Sequence, residues 1–389
     1  MPANDSHPSA SPDPRVAIVT PSFNQARFLR ETIESVLGQS YPHIDYLVVD
    51  GGSTDGSLEV LRSFGERVRW ISEPDRGQAD AIAKGFARTN GEILAWINSD
   101  DILLTRAVEE AVTAFRSRPD AGLVYANGLL LDEQGRVTGR FPWVEPPDLW
   151  RLVYLSDYVL QPSAFFRRST YDEVGGLDVD LHYAMDWDLW IRLAGHADMV
   201  FLPEQTFGCS RIWGDTKTST GGWRRIKELA GLARKHTGTS WTPGVKRYAI
   251  DALGSEIQRR VPRVLYRLAG RAGARVDQAI MRQLPAHADG WLAPRGHLLF
   301  PRRWGRARLE LDLPWLPPRR STLIDLRVDG ALISSRRVSS PGPLTLEVSA
   351  PPHGKSPFVD VEIRSSLAWR EHGTRRRLTV RVIRIAQAA

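Results

Sequence analysis

The sequence predicts an α/β protein. A mainly parallel sheet with helices on both faces comes first, then basic helices, then an antiparallel β-sandwich. Three observations carry this. Three apolar runs, Val16–Thr20, Tyr46–Asp50 and Ile93–Ile97, are separated by helical spacings and each end in a polar turn. Such alternation of strand and helix builds parallel sheets. A Lys/Arg-rich stretch follows from about residue 223, and from Trp291 onward short segments alternate apolar and polar residues between Pro/Gly turns. That last texture is the signature of half-buried antiparallel strands.

The elements follow in order. Residues 1–14 are rich in Pro, Ser, Asp and Asn and read as a disordered lead-in. After the first strand, Phe28, Ile33, Val36 and Leu37 share one helical face; after the second, Leu58, Val60, Leu61 and Phe64 do the same. Val68–Ile71 is a short strand, Ala79–Ala87 a helix containing Gly85, and Gly91 precedes the third main strand. Leu123–Leu131 is a further strand, Phe141–Pro147 a Pro-rich connector, and Gln161–Phe166 a strand. Tyr171–Leu177 is a helix end with a Gly stop, and Met185–Leu193 begins a helix. Residues 223–285 are helical and basic, divided by Pro262. Leu309–Leu313, Leu323–Val328, Leu344–Val348, Val359–Ile363 and Leu378–Ile383 are the expected sandwich strands. The expected domains are therefore 15–222 (catalytic), 223–285 (basic helical linker) and 286–389 (sandwich).

Composition narrows the classes. With 389 residues, 42% hydrophobic and 25% charged, the chain can bury a real core. Its single cysteine, Cys209, excludes an intrachain disulfide and a multi-cysteine metal cluster and fits a reducing compartment. No apolar run is long enough to span a bilayer. Net charge divides unequally. Residues 1–222 hold 20 Lys+Arg against 32 Asp+Glu, a net of −12, and residues 223–389 hold 32 against 13, a net of +19. The basic part fits either an anionic membrane surface, with Pro262–Arg282 as an amphipathic helix, or a solvated helix packed on the catalytic domain. Nucleic acid is not expected as a partner, because no recognition module accompanies the charge.

Six segments in order resemble the family 2 glycosyltransferases, inverting enzymes of the Rossmann-like GT-A fold. They are Val19–Asn24, Val48–Gly56, Ser72–Gly77, Trp96–Asp101, Gln161–Phe166 and Met185–Trp190. The resemblance covers the first 220 residues or so and leaves the C-terminal third unmatched. It implies a nucleotide-sugar donor, a UDP-sugar first of all, and a glycan or lipid-linked glycan acceptor. It also implies a cytoplasmic enzyme, peripheral on the cytoplasmic membrane face if the basic helices touch lipid.

The chemistry needs a neutralised leaving diphosphate, a grip on base and ribose, and a carboxylate that deprotonates the acceptor. By the resemblance, Asp100 of the turn Asn98-Ser99-Asp100-Asp101 holds Mg²⁺ or Mn²⁺ through hard oxygen ligands. Asn98 stands where the family's Asp-x-Asp motif has Asp, which removes one negative charge. Asn98, Ser99 and Asp101 are expected on the nucleotide-sugar. Asp50 is the expected acceptor for a uracil imide N–H, Pro21, Phe23 and Asn24 line the base pocket, and Asp75 and Arg76 meet base, ribose or diphosphate. Arg211 and Lys217 bracket a loop that in relatives often reads Arg-x-His, with Trp213 at the His position, and are expected on the diphosphate. Asp186 is the expected general base, with Met185 where relatives carry a neighbouring Glu. Gln161 and Trp187 are expected on the acceptor side.

Two other readings follow from the departures. Asn98, Met185 and Trp213 would suit a catalytically weak, glycan-binding scaffold that keeps the GT-A fold. A nucleotidyltransferase would want a Gly-rich, basic first loop, which Pro21–Asn24 is not.

Overall fold

A computed structural model describes residues 13–214, 217, 221–260, 291–293, 295–313, 321–352, 356–366, 369–370 and 377–388. The lead-in (apart from residues 13 and 14) and the stretch Pro262–Arg282 lie outside the described residues. The chain groups into two compact units. One holds residues 1–146, 158–189 and 197–216; the other holds 147–157, 190–196 and 217–389.

The first unit is built on a nine-stranded sheet. Its elements run β1 (Val16–Ser22), α1 (Ala26–Leu37), β2 (Ile44–Asp50), α2 (Ser57–Ser63), β3 (Arg69–Ser72), α3 (Gln78–Ala87), β4 (Ile93–Trp96), β5 (Ile102–Leu103), α4 (Ala107–Ser117), β6 (Ala121–Leu131) and β7 (Val137–Arg140). Next along the chain is α5 (Leu149–Tyr154), which groups with the second unit. Then come β8 (Ala164–Arg167), α6 (Arg168–Glu173), α7 (Met185–His196) and β9 (Asp198–Arg211). The last turns of α7 also group with the second unit.

Strand order is β3-β2-β1-β4-β8-β6-β9-β5, with β7 on β6. β1, β2, β3 and β4 pair in parallel, as do β6 and β9, while β8 and β5 pair antiparallel. The sheet is therefore mainly parallel, as the repeated strand–helix pattern implies. Every residue of β1 is buried, as expected of a central strand covered on both faces. Phe28, Leu29, Ile33 and Val36 of α1 pack into the same core. Gly85 lets α3 lie directly on β1: a Cβ there would sit 2.5 Å from Val19 Cγ1. From β1 the chain steps outward to β2 and β3, then returns to place β4 on the other side of β1. This reversal opens a crevice at the carboxyl ends of β1 and β4, the place where such sheets bind ligands.

Gln161–Phe166, expected as one strand, is a 3₁₀ turn (Gln161–Ser163) followed by β8. Pro162 supplies the reason, since it has no N–H to give a ladder. β9 has no clean alternation, and Pro203 interrupts it, so the pattern did not announce it.

The second unit carries α8 (Gly222–Thr237), α9 (Pro243–Arg260) and the strands β10 (Arg295–Pro301), β11 (Arg306–Leu313), β12 (Thr322–Val328), β13 (Ala331–Val338), β14 (Gly342–Ser349), β15 (Phe358–Ser365), β16 (Trp369–Arg370), β17 (Arg377–Leu378) and β18 (Arg381–Gln387). A four-stranded sheet, β10-β15-β12-β13, and a three-stranded sheet, β14-β11-β18, share one core. Leu309, Leu311 and Leu313 meet Ile324, Leu326, Val359 and Val361 there. The alternation expected for the sandwich is thus the alternation that buries. Three strands escaped the pattern, β16 among them, and Leu378–Ile383, expected as one strand, is divided between β17 and β18. β10 is another; β13 is an edge strand exposed along nearly its whole length, so neither face imposes a period.

In the larger sheet, His297 Nδ1 lies 2.9 Å from Asp360 Oδ1, and Arg364 pairs with Glu362 nearby. The bond to Asp360 raises the His297 pKa above its ordinary 6.5, against an opposing effect of burial. A folded-state pKa above the unfolded one gives stability that is full below 6.5 and is lost as pH rises through the folded value. We expect the melting temperature of the full chain to fall as pH climbs through that window, and Asp360→Asn to flatten this dependence. Thermal unfolding monitored by circular dichroism across pH 5.5–8.5 checks it; equal slopes for the two proteins would refute the assignment.

Candidate active site

The first strand ends hand its chain to two interlocked turns. Asn24 adopts a left-handed backbone (φ 52°), which Asn tolerates better than most residues. Its amide oxygen accepts from Thr54 N at 2.9 Å and its own N–H donates to Ser53 Oγ at 2.8 Å. Pro21 is buried in β1 beside Val49 of β2. Phe23 is the opposite case, 59% exposed at the strand end.

Asp50 is wholly buried and its carboxylate accepts four hydrogen bonds. Oδ2 accepts from Gly52 N, Ser53 N and Ser72 Oγ, and Oδ1 accepts from Ser53 Oγ. As it stands, this carboxylate builds the turn, with Oδ1 accepting a single bond. The neighbouring carboxylate is partly open. A Cβ at Gly51 would fall 2.5 Å from Asp75 Oδ2 and 3.3 Å from the Phe23 ring. The missing side chain at 51 is what lets Asp75 lie over the turn beside Phe23. Asp75 Oδ1 accepts from Gly77 N, which fixes the group. Arg76 keeps an exposed side chain and pairs loosely with Asp80 at 3.4 Å.

The acidic turn after β4 is a second network. Gln78 Nε2 donates to Asn98 Oδ1 at 2.6 Å, and Asn98 Nδ2 donates to Asp101 Oδ2 and to Gln161 Oε1, both at 3.0 Å. This explains the amide at 98: a carboxylate there could not donate to the buried Asp101. Ser99 is buried. Asp101 also accepts from Arg211 N. Burial first, then the charge of Asp100, push the Asp101 pKa well above its ordinary value. Asp100 is less enclosed, and its Oδ2 accepts from Trp213 Nε1 at 2.9 Å. Its pKa is also raised by burial, with the Trp213 bond pulling the other way.

Several residues expected on ligand are also held by the protein itself. The Arg211 side chain is buried; Nε donates to Asp100 O, a terminal nitrogen to Asp132 O, and the other to Glu31 Oε2 at 2.6 Å. It holds the acidic turn with three of its five N–H donors, and at 1% side-chain exposure it turns none of them to solvent. Gln161 is buried too, its amide spanning Asn98 and Trp96 O. Trp187 is 5% exposed, a packing position with no open face for a sugar. Lys217 belongs to the second unit.

Asp186 is half-buried in the first turn of α7, where Oδ1 accepts from Trp187 N at 2.8 Å. The loop before it reaches the base side: His182 Nδ1 would lie 3.8 Å from a Cβ at Gly77. The structure thus joins Pro21, Phe23, Asn24, Asp50, Asp75 and Arg76 at one end. It links Asn98, Asp100, Asp101, Arg211 and Gln161 at the other, with α3 between through Gln78. Sequence reasoning missed Gly51, Gln78 and Glu31. Gly51 had a signal, the Gly-Gly pair that opens the second turn; Gln78, at the start of α3, and Glu31, in the middle of α1, had none.

A divalent cation fits this turn only in part. Among the described residues no group of three or more His, Cys, Asp or Glu side chains is placed to hold a metal. Asp100 alone supplies a partly open carboxylate, a hard oxygen donor suited to Mg²⁺ or Mn²⁺ when diphosphate and water complete the shell.

Strand-end turns gathered on a mainly parallel sheet, with the partly open carboxylates of Asp75 and Asp100, are the ligand-binding edge of an open α/β protein. The glycosyl transferase family 2 profile matches residues 17–175. An uncharacterized glycosyltransferase of Mycobacterium tuberculosis is 31% identical over 185 residues, covering 46% of this chain and 69% of that protein. The O-antigen biosynthesis protein RfbC of Myxococcus xanthus is 34% identical over 190 residues, 46% of this chain but 14% of that protein. A solved mannosyltransferase of Pyrobaculum calidifontis, in complex with GDP-Man and Mn²⁺, has a TM-score of 0.48 at 19% identity, covering 69% of this chain and 84% of that one. The chain belongs to glycosyltransferase family 2.

Proposed function

We propose that this glycosyltransferase is inverting and metal-dependent, and moves a hexose from a UDP-sugar to a hydroxyl of a cell-surface polysaccharide or lipid-linked oligosaccharide. The observation that carries the reading is the shelf at the β1 and β2 ends. Exposed Phe23 gives a stacking face, and Asp75 Oδ2 beside it accepts an imide N–H. Asp75 thereby takes the base-reading part expected of Asp50, while Pro21, Asn24 and Asp50 shape the shelf and Arg76 stays open to ribose or diphosphate. Asp100 would hold Mg²⁺ or Mn²⁺, which would supply positive charge against the leaving diphosphate. Asn98, Ser99 and Asp101 keep Asp100 in place. Asp186 takes the proton from the acceptor hydroxyl on the face opposite the leaving group.

The acceptor class is supported by the M. xanthus relative's name and by the basic second unit. Among the described residues no helix is long and apolar enough to cross a membrane. α8 instead turns Trp223, Arg224, Lys227 and Arg234 outward, a face suited to peripheral contact with anionic lipid on the cytoplasmic side.

A panel of nucleotide-sugars given to the purified full chain, with and without Mn²⁺, tests the reading. Nucleoside diphosphate release is expected from a UDP-sugar, at least about tenfold faster with Mn²⁺ than in EDTA, and Phe23→Ala should raise KM. Release confined to purine nucleotide donors would overturn the donor assignment. No release from any donor would overturn the whole.

A further inference from the structure

The segment that ends β9 grips Asp100 twice. Arg211 Nε bonds its carbonyl, and Trp213 Nε1 bonds its carboxylate. Both gripping groups rest on one ring. Phe28 lies 5.2 Å from the Trp213 ring and 4.8 Å from the Arg211 guanidinium. An indole nitrogen is a donor only and brings no lone pair to a cation. The other polar groups of the turn are engaged elsewhere. Asp101 receives Asn98 and Arg211 N, and the Asn98 oxygen receives Gln78.

We propose that Trp213 is the positioning residue of this centre: its N–H fixes one oxygen of Asp100 in an orientation that admits a cation only together with a nucleoside diphosphate. The inference rests on the proposed function above and deepens it. One carboxylate is a poor host for an ion that wants six oxygens. A diphosphate brings the missing oxygens, so cation and nucleotide bind as a pair, and each strengthens the other by the same factor. Releasing Asp100 from the indole costs that pairing, because a bond to a charged acceptor is worth about tenfold in affinity.

Mn²⁺ binding to the full chain, read from the electron paramagnetic resonance signal of free Mn²⁺, tests this with and without UDP or GDP. Calorimetry in EDTA reports nucleotide affinity alone. In the native protein Mn²⁺ should bind at least about thirtyfold more tightly with nucleotide present. Trp213→Phe keeps a ring on Phe28 and loses the N–H; it should cut that coupling about tenfold and leave the EDTA affinity unchanged. A merely structural tryptophan would lower both. Trp213→His keeps a ring N–H and adds a lone pair, so Mn²⁺ binding without nucleotide should tighten about tenfold. Equal Mn²⁺ affinity with and without nucleotide, full coupling in Trp213→Phe, or no gain in Trp213→His would each overturn the inference alone. Failure of both nucleotides to bind under any condition would overturn the proposed function along with it.

Discussion

Asp186→Asn should lower the transfer rate by about 10³-fold while leaving nucleotide affinity within about twofold. The substitution keeps the shape of the side chain and its bond from Trp187 N, and removes only the ability to take a proton. An acceptor hydroxyl is a poor nucleophile until it is deprotonated, so the loss should fall on kcat. A competing account makes Asp186 a helix-terminus carboxylate at the start of α7, favoured by the helix dipole by about 0.3–1 kcal/mol. That account predicts a small drop in melting temperature and an unchanged rate. Asp188 supplies the internal contrast. It lies two residues on and is wholly buried, so Asp188→Asn should act on stability first. Steady-state rates with the donor found in the panel, together with melting curves for both variants, decide between the accounts. A rate for Asp186→Asn within threefold of the native protein would end the general-base assignment.

Much of the catalytic unit was legible because its signals are local. Continuous apolar runs mark strands covered on both faces, and β1, β2 and β4 appear where those runs are. The turns that follow them are polar because they leave the sheet at the crevice. What the sequence could not reveal is which polar side chains face ligand and which are consumed inside. Asp50 and Arg211 have the residue types of ligand contacts, yet Asp50 accepts four hydrogen bonds within its own turn and region, and Arg211 is held by Glu31 from 180 positions away. Gly52 and Ser53 stand at the spacing of a turn-forming Asp, whereas Ser72 and Glu31 follow no spacing rule. Gly51 is marked by its Gly-Gly pair, but the space it leaves for Asp75 shows only in three dimensions. In the second unit, alternation found the strands that bury one face and was silent on β13, which buries neither.

Arg211→Met is expected to destabilise the first unit by about 1–3 kcal/mol for each of the two carbonyls it leaves without a donor, while half-exposed Glu31 is left to water. Methionine fills a similar volume on Phe28, so the loss is electrostatic and hydrogen-bonding in origin. The Asp100 and Asp101 carboxylates, already costly to ionise through burial, would lose the positive charge that partly offsets them. Their turn should loosen, and with it the grip of Trp213 on Asp100. Had Arg211 been a diphosphate ligand, as its residue type suggests, the variant would melt like the native chain and fail only in nucleotide affinity. The two roles separate cleanly in one pair of measurements: urea unfolding of the nucleotide-free protein, and calorimetry of nucleotide binding in EDTA. A large fall in unfolding midpoint marks the strut. A native midpoint with weakened nucleotide binding would return Arg211 to the donor side and require the Asp100 turn to stand without it.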